Sequence, residues 1–87
     1  MHYVYLILED TTRKRYIGRT DDLKKRMKYH NSGRGGRTTS PGKWHLVYYE
    51  AYLHKKDATA REYRLKHDGR SRRFLYQRAE NSLAGLK

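Results

Sequence analysis

The 87-residue chain has no cysteine, one proline, one phenylalanine, one tryptophan and only nine acidic residues. Without cysteine there are no disulfides and no thiolate metal ligands, so packing must supply the stability. That fits a reducing compartment, and a cytoplasmic location is expected. The longest apolar run, Val4 to Leu8, is far too short to span a bilayer, and no signal peptide is visible, so no membrane partner is expected. The length suits one small domain, residues 1–87, burying roughly 60–70% of its extended-chain surface.

Positive charge and phenol are what the chain has in excess. Twenty-one Lys and Arg oppose nine Asp and Glu, a net charge of +12. Such a field attracts phosphate backbones and speeds encounter with them. An anionic membrane surface, or plain solvation, also uses such charge, but for a domain of this size the expected partner is nucleic acid. Charge does not separate holding a polyanion from cutting one. Nine tyrosines against one phenylalanine suit nucleic-acid contact as well as packing.

Residues 2–9, HYVYLILE, read as a buried strand, and Tyr16-Ile17-Gly18 as a second, with polar residues between them for a hairpin turn. Thr20 or Asp21 suits a helix N-cap, and the helix should run to about Asn31 with Leu23, Met27 and His30 on one stripe. Residues 31–43 hold four of the seven glycines and the only proline, a long loop and therefore suspect as functional. WHLVYYE, residues 44–50, is a third strand that joins the hairpin's sheet after a helical crossover. A helix follows from Asp57 to His67, stopped by Gly69 in the C-terminal glycine position. A last helix, about Ser71 to Ser82, is expected to pack through Phe74, Leu75, Ala79 and Leu83. The expected fold is α+β: a small three-stranded mixed sheet flanked by helices, in the order β-β-α-β-α-α.

Eight of the nine acids (Glu9, Asp10, Asp21, Asp22, Glu50, Asp57, Asp68 and Glu80) fall at turns, strand ends and helix ends, where such residues are ordinarily structural. Glu62 differs. It sits mid-helix between Ala58 and Leu65 on the inward face, where a carboxylate is costly unless paired. A neighbouring Arg or Lys would serve, and so would Mg²⁺, which often takes one or two protein carboxylates plus phosphate oxygen. One inward acid argues against a two-metal nuclease, which needs clustered acids to hold ions about 4 Å apart. The five histidines show no metal-ligand helical spacing, and there is no phosphate-binding loop of the Gly-x-x-x-x-Gly-Lys type. No cysteine nucleophile exists and no serine stands in an elbow motif.

What remains is a constellation. Arg26 and His30 are four apart on one helix face, Arg19 lies near that helix's start, and the hairpin places Tyr5 and Tyr16 almost opposite with rings side by side. Tyr3-Val4-Tyr5, then Tyr16-Ile17-Gly18, then Arg26, His30 and Glu62, resemble the GIY-YIG nuclease superfamily over residues 2–78 or so. The run Y-I-G-x-T-x-x-L-x-x-R-x-x-x-H is the most specific part. VYYEAY and the Ala-Arg-Glu of the second helix resemble small stand-alone bacterial members similar to the nuclease domain of the excision-repair endonuclease. The first motif begins with Tyr3 instead of glycine, and Arg19 stands where some members carry lysine.

The resemblance implies a metal-dependent DNA endonuclease with one Mg²⁺ or Mn²⁺ ion, acting on DNA that includes branched or damaged forms, as in DNA repair. It implies that Tyr5 activates the attacking water, Tyr16 orients water or phosphate, Arg26 stabilises the phosphorane, Glu62 holds the metal and His30 assists proton transfer. An unperturbed phenol has a pKa near 10, so Tyr5 needs cations nearby to act as a base, with Arg19 and Arg26 the candidates and His30 a rival base. A non-catalytic module binding DNA, RNA or the ribosome is the alternative. Expected phosphate contacts are Arg34, Arg37 and Lys43 of the loop and Arg70, Arg72 and Arg73, each of which could equally be solvated charge.

Overall fold

The computed structural model describes residues 1–33 and 41–85. Its elements are β1 (His2–Glu9), β2 (Arg15–Thr20), α1 (Leu23–His30), β3 (Trp44–Tyr52), α2 (Lys55–His67), α3 (Gly69–Arg78) and α4 (Glu80–Gly85). The fold is α+β, as expected, with a three-stranded sheet in the order β2-β1-β3. Both pairings are antiparallel, so the sheet is antiparallel throughout and not mixed. The crossover through α1 carries the chain past β1, leaving β2 and β3 to run the same way on opposite sides of it without pairing.

β1 is the central strand, and Val4 through Glu9 are all buried. Alternation along a strand sends successive side chains to opposite faces, and each face has its own core. Val4, Leu6, Leu8 and Ile17 pack against Ala58, Leu65, Leu75, Ala79 and Leu83 of α2 to α4. Tyr5, Ile7 and Trp44 pack on the other face, with Tyr16, Leu23 and Met27 against them. The Leu23, Met27, His30 stripe therefore faces the sheet, as its spacing predicts.

The hairpin register departs from the expected one. Tyr5 pairs with Gly18, and Tyr16 with Ile7, so the two tyrosines are diagonal neighbours on one face. The turn is set by the buried carboxylate of Glu9, which accepts from the Thr11 and Thr12 amides and the Thr12 hydroxyl, while Arg13 takes a left-handed backbone (φ 64°). Local bonds between a carboxylate and backbone N–H groups fix such turns, and this one closes two residues away from the register that would bring 5 and 16 face to face.

The helix ends are also settled by side chains. Asp22, not Thr20 or Asp21, caps α1, its carboxylate accepting from Lys25 N at 3.0 Å, while Thr20 remains in β2. His54 caps α2 through Nδ1, so the helix begins at Lys55, before the expected Asp57. Asp68 ends α2 and caps α3, accepting from Arg70 N and Ser71 Oγ. Gly69 opens α3 and does not take a left-handed turn. The expected final helix breaks at Ala79 into α3 and α4. Leu75, Ala79 and Leu83 form its buried stripe, one position round from Phe74, which is 55% exposed and does not pack as expected.

Candidate active site

Tyr5 stands in the middle of β1 and its ring lies across Gly18 of the neighbouring strand. A Cβ built on Gly18 would come within 2.4 Å of the Tyr5 hydroxyl and 3.0 Å of the Tyr16 ring. Gly18 is therefore needed for the space above it, in mid-strand, and not for the tight turn that its place before α1 suggests. With that space open, the Tyr5 hydroxyl reaches His30 Nε2 on α1 at 2.7 Å, in a buried hydrogen bond.

Tyr5, Tyr16, His30 and Trp44 form one nest of rings. Tyr16 meets His30 edge-on at 5.3 Å between centroids, Tyr5 meets His30 at 5.7 Å, and Tyr5 and Tyr16 are 6.5 Å apart. Trp44 closes the nest at 6.5 Å from both Tyr16 and His30. Asn31 anchors it, donating from Nδ2 to Trp44 O and accepting at Oδ1 from Trp44 N, which ties the end of α1 to the start of β3.

Burial and nearby charges act on both partners of the Tyr5–His30 bond. Burial, reinforced by the adjacent Tyr16 phenol and the Glu62 charge, pushes the Tyr5 hydroxyl well above the usual phenol range, against the pull of Arg26. Burial and the positive charge of Arg26 push His30 below the usual imidazole value. Burial thus favours the uncharged form of both partners, a phenol beside a neutral imidazole. Arg26, half-buried on α1, acts on both groups, and its guanidinium also lies 5.5 Å from the Tyr29 ring.

The second half of the site approaches from α2. Strand alternation puts Tyr16 on the α1 face of β2 and Ile17 and Arg19 on the α2 face. Arg19 Nε lies 3.5 Å from Glu62 Oε1, and Lys66 Nζ lies 3.2 Å from Glu62 Oε2, so each carboxylate oxygen meets a cation. Arg19 Nε is fully covered, yet among the described residues it completes no hydrogen bond. Lys66 also reaches over the edge strand, its ammonium 5.4 Å from the Tyr16 ring centroid. Arg19 and Arg26 line one small cleft with His2, Thr20, Asp21 and Lys55. Tyr5, Tyr16, Arg26 and His30 on the α1 side and Arg19 and Glu62 on the α2 side thus form two groups, linked at the edge of β2 by the Lys66–Tyr16 contact and by the cleft that Arg19 shares with Arg26.

Residues 1–77 match the family model of the GIY-YIG catalytic domain. The chain belongs to the GIY-YIG family. The chain is 43% identical over 67 residues to a UPF0213 protein of Clostridium perfringens, covering 76% of this chain and 71% of that one. It is 38% identical over 76 residues to a UPF0213 protein of Bacillus pumilus, covering 86% and 76%. A UPF0213 protein of Halalkalibacterium halodurans is 40% identical over 87 residues, covering 99% and 84%. No solved structure matches significantly. GIY-YIG membership supports a nuclease-type function and a nucleic-acid substrate in general.

The two GIY-YIG motif segments are the paired strands themselves: Tyr3-Val4-Tyr5 lies in β1 and Tyr16-Ile17-Gly18 in β2, with Gly18 beneath Tyr5. As to the metal implied by this family, the described residues hold no cluster of three or more His, Cys, Asp or Glu. His30 Nε2 is taken up by Tyr5. Glu62, partly exposed at 21%, offers carboxylate oxygen from α2, and Asp21 lines the cleft beside Arg19 and Arg26. That donor set fits a hard divalent ion taking most of its ligands from water and phosphate, and fits neither zinc nor a two-ion centre.

Of the expected phosphate contacts, Arg34 and Arg37 lie outside the described residues. Lys43, Arg70 and Arg73 are exposed. Arg72 is engaged within the fold, Nη1 donating to Leu65 O at 3.0 Å and Lys66 O at 3.1 Å at the end of α2. Lys66, Trp44 and Asn31 had no place in the reading of the sequence. Lys66 carries a legible signal, four residues after Glu62 on the same helix face. Trp44 and Asn31 do not, because their contact spans thirteen positions.

Among the described residues no helix is long and apolar enough to cross a membrane.

Proposed function

We propose that the protein is an endonuclease that hydrolyses DNA phosphodiester bonds with one divalent ion, Mg²⁺ or Mn²⁺, held by Glu62. The observation that carries this reading is the buried Tyr5–His30 hydrogen bond at 2.7 Å, with the Arg26 charge acting on both partners. A phenol this resistant to ionisation is a poor base alone. Paired with a neutral imidazole it becomes a relay: as water attacks phosphorus, its proton passes to the Tyr5 oxygen and the Tyr5 proton passes to His30 Nε2. Neither group then has to hold an unfavourable charge before the reaction.

The new bond joins the water oxygen to phosphorus, and the bond to the 3′ oxygen breaks in line, leaving a 5′-phosphate and a 3′ oxygen that takes a proton from solvent. Arg26 offers the planar fork suited to the equatorial oxygens of the phosphorane. Tyr16, edge-on to His30, orients the water or the phosphate. The ion would neutralise charge on the phosphate and the departing oxygen. Arg19 positions Glu62 for it.

A second reading rests on one observation. Glu62, with a cation at each oxygen, is already balanced as a structural ion pair would be. A basic module that binds nucleic acid without cutting it would keep that pair and the +12 charge. Incubation with supercoiled and branched DNA in Mg²⁺ or Mn²⁺ separates the two. The enzyme predicts nicked or cut product from the wild type and none from Glu62→Ala. Tight, salt-sensitive binding with intact DNA under every condition selects the binder.

A further inference from the structure

Of the two cations on Glu62, Lys66 is the one that the proposed chemistry leaves without a task. One turn after Glu62 on α2, it resembles an ordinary i,i+4 helix pair, which contributes little. Three observations set it apart. Its partner is the carboxylate that carries the metal role in the proposed function. Its ammonium sits 5.4 Å from the ring centroid of Tyr16, at the edge of β2 where the two groups are linked. And the other cation on Glu62, Arg19, has a covered Nε that stops short of a hydrogen bond, 3.5 Å from Oε1.

A divalent ion and an ammonium within hydrogen-bond reach of one carboxylate repel each other. In the free protein Lys66 therefore opposes loading of Glu62. The balance changes when a phosphodiester arrives. Lys66 is 41% exposed and lines, with Arg15, Tyr16, His67 and Tyr76, a surface cleft of about 500 Å³. A phosphate oxygen there competes with Glu62 for the ammonium. If Lys66 leaves, Oε2 is released, and a small shift of the carboxylate completes the missing bond from Arg19 Nε.

Resting on the metal role of Glu62, we propose that Lys66 is an exchangeable counter-cation: it blocks Glu62 in the free protein and moves to the substrate phosphate, so that metal loading follows DNA binding. Lys66 is in these terms a positioning residue for Glu62 that also becomes a phosphate contact.

The test titrates Mn²⁺ into the full chain without DNA, by calorimetry or by loss of the free-ion electron paramagnetic resonance signal. Wild type, Lys66→Met, Lys66→Arg and Glu62→Gln are compared, each checked for fold by circular dichroism. Removing the competing charge should tighten Mn²⁺ binding in Lys66→Met on the order of five- to tenfold. Lys66→Arg, which keeps the charge, should stay near wild type, and Glu62→Gln should lose the site. In metal-free DNA binding, Lys66→Met should lower the slope of log affinity against log salt by about 1. Unchanged Mn²⁺ affinity in Lys66→Met, or an unchanged salt slope, overturns the proposal. Glu62→Gln binding Mn²⁺ like wild type would instead remove the metal role on which it rests.

Discussion

The bond from the Tyr5 hydroxyl to His30 depends on a residue that takes no part in it. Gly18→Ala would drive a methyl into the phenol end of Tyr5, and forcing an extra methyl into a packed site costs about 1–3 kcal/mol. We expect a lower melting temperature and a much larger loss of cleavage, since the hydroxyl must leave His30; a variant that cleaves at wild-type rate would contradict this. The pH dependence has a definite sign. His30 is depressed in the folded chain, so the unfolded chain takes up more protons as pH falls below about 6.5. Its contribution is complete above that value and is lost as pH falls towards the folded value. Tyr5 is raised, so its contribution is complete below about pH 10 and is lost above it. Thermal melts from pH 5 to 11, comparing wild type with Tyr5→Phe, should show the alkaline loss diminished in the variant. At this scale the sequence was informative: Tyr5, Tyr16, Arg26, His30 and Glu62 could be picked out by type and spacing. The purpose of Gly18 could not, because it depends on which residue the register places opposite.

Between elements, the site depends on α2 holding its position over the sheet. Adjacent residues divide the work: Arg61 pins the helix and Glu62 faces Arg19. The Arg61 guanidinium donates to both oxygens of Glu50 on β3, at 2.8 and 3.0 Å. The Tyr48 and Tyr52 hydroxyls donate to the same carboxylate, at 2.9 and 2.7 Å. Burial pushes the Glu50 carboxyl up, but the bonds from Arg61, Tyr52 and Tyr48 outweigh it and hold it below the usual range. Glu50→Ala leaves a half-buried guanidinium and two phenols without that acceptor, at a cost of about 2 kcal/mol. Denaturant unfolding should show it, and a cost near zero would mean that α2 is held by its apolar face alone. Hydrophobic period and β-branched runs made every strand and α1 and α2 legible, with boundaries off by a few residues. The antiparallel sheet and the break at Ala79 were not legible. One depends on the path of a connection, the other on which face of the last helices meets the core.

Across the whole molecule, +12 of net charge acts in two ways that experiments can separate. Exposed cations that are not part of the ring nest, Lys43, Arg70 and Arg73, should contribute to DNA affinity, each lowering the salt slope by about 1 when neutralised. Arg72→Ala should act chiefly on stability, because its guanidinium serves the α2 carbonyls; a full change in slope with unaltered melting would reverse that assignment. The charge was plain in the composition, whereas the split between contact and scaffold required the hydrogen bonds. The field attracts phosphate backbones to the surface, but the proposed activity rests on the relay beneath it. The most direct measurement is single-turnover cleavage of one DNA substrate in saturating Mg²⁺ or Mn²⁺ by wild type and Tyr5→Phe, with DNA affinity measured alongside. The relay predicts a fall on the order of 10²-fold or more in the cleavage rate at unchanged affinity. Cleavage by Tyr5→Phe at the wild-type rate would contradict it.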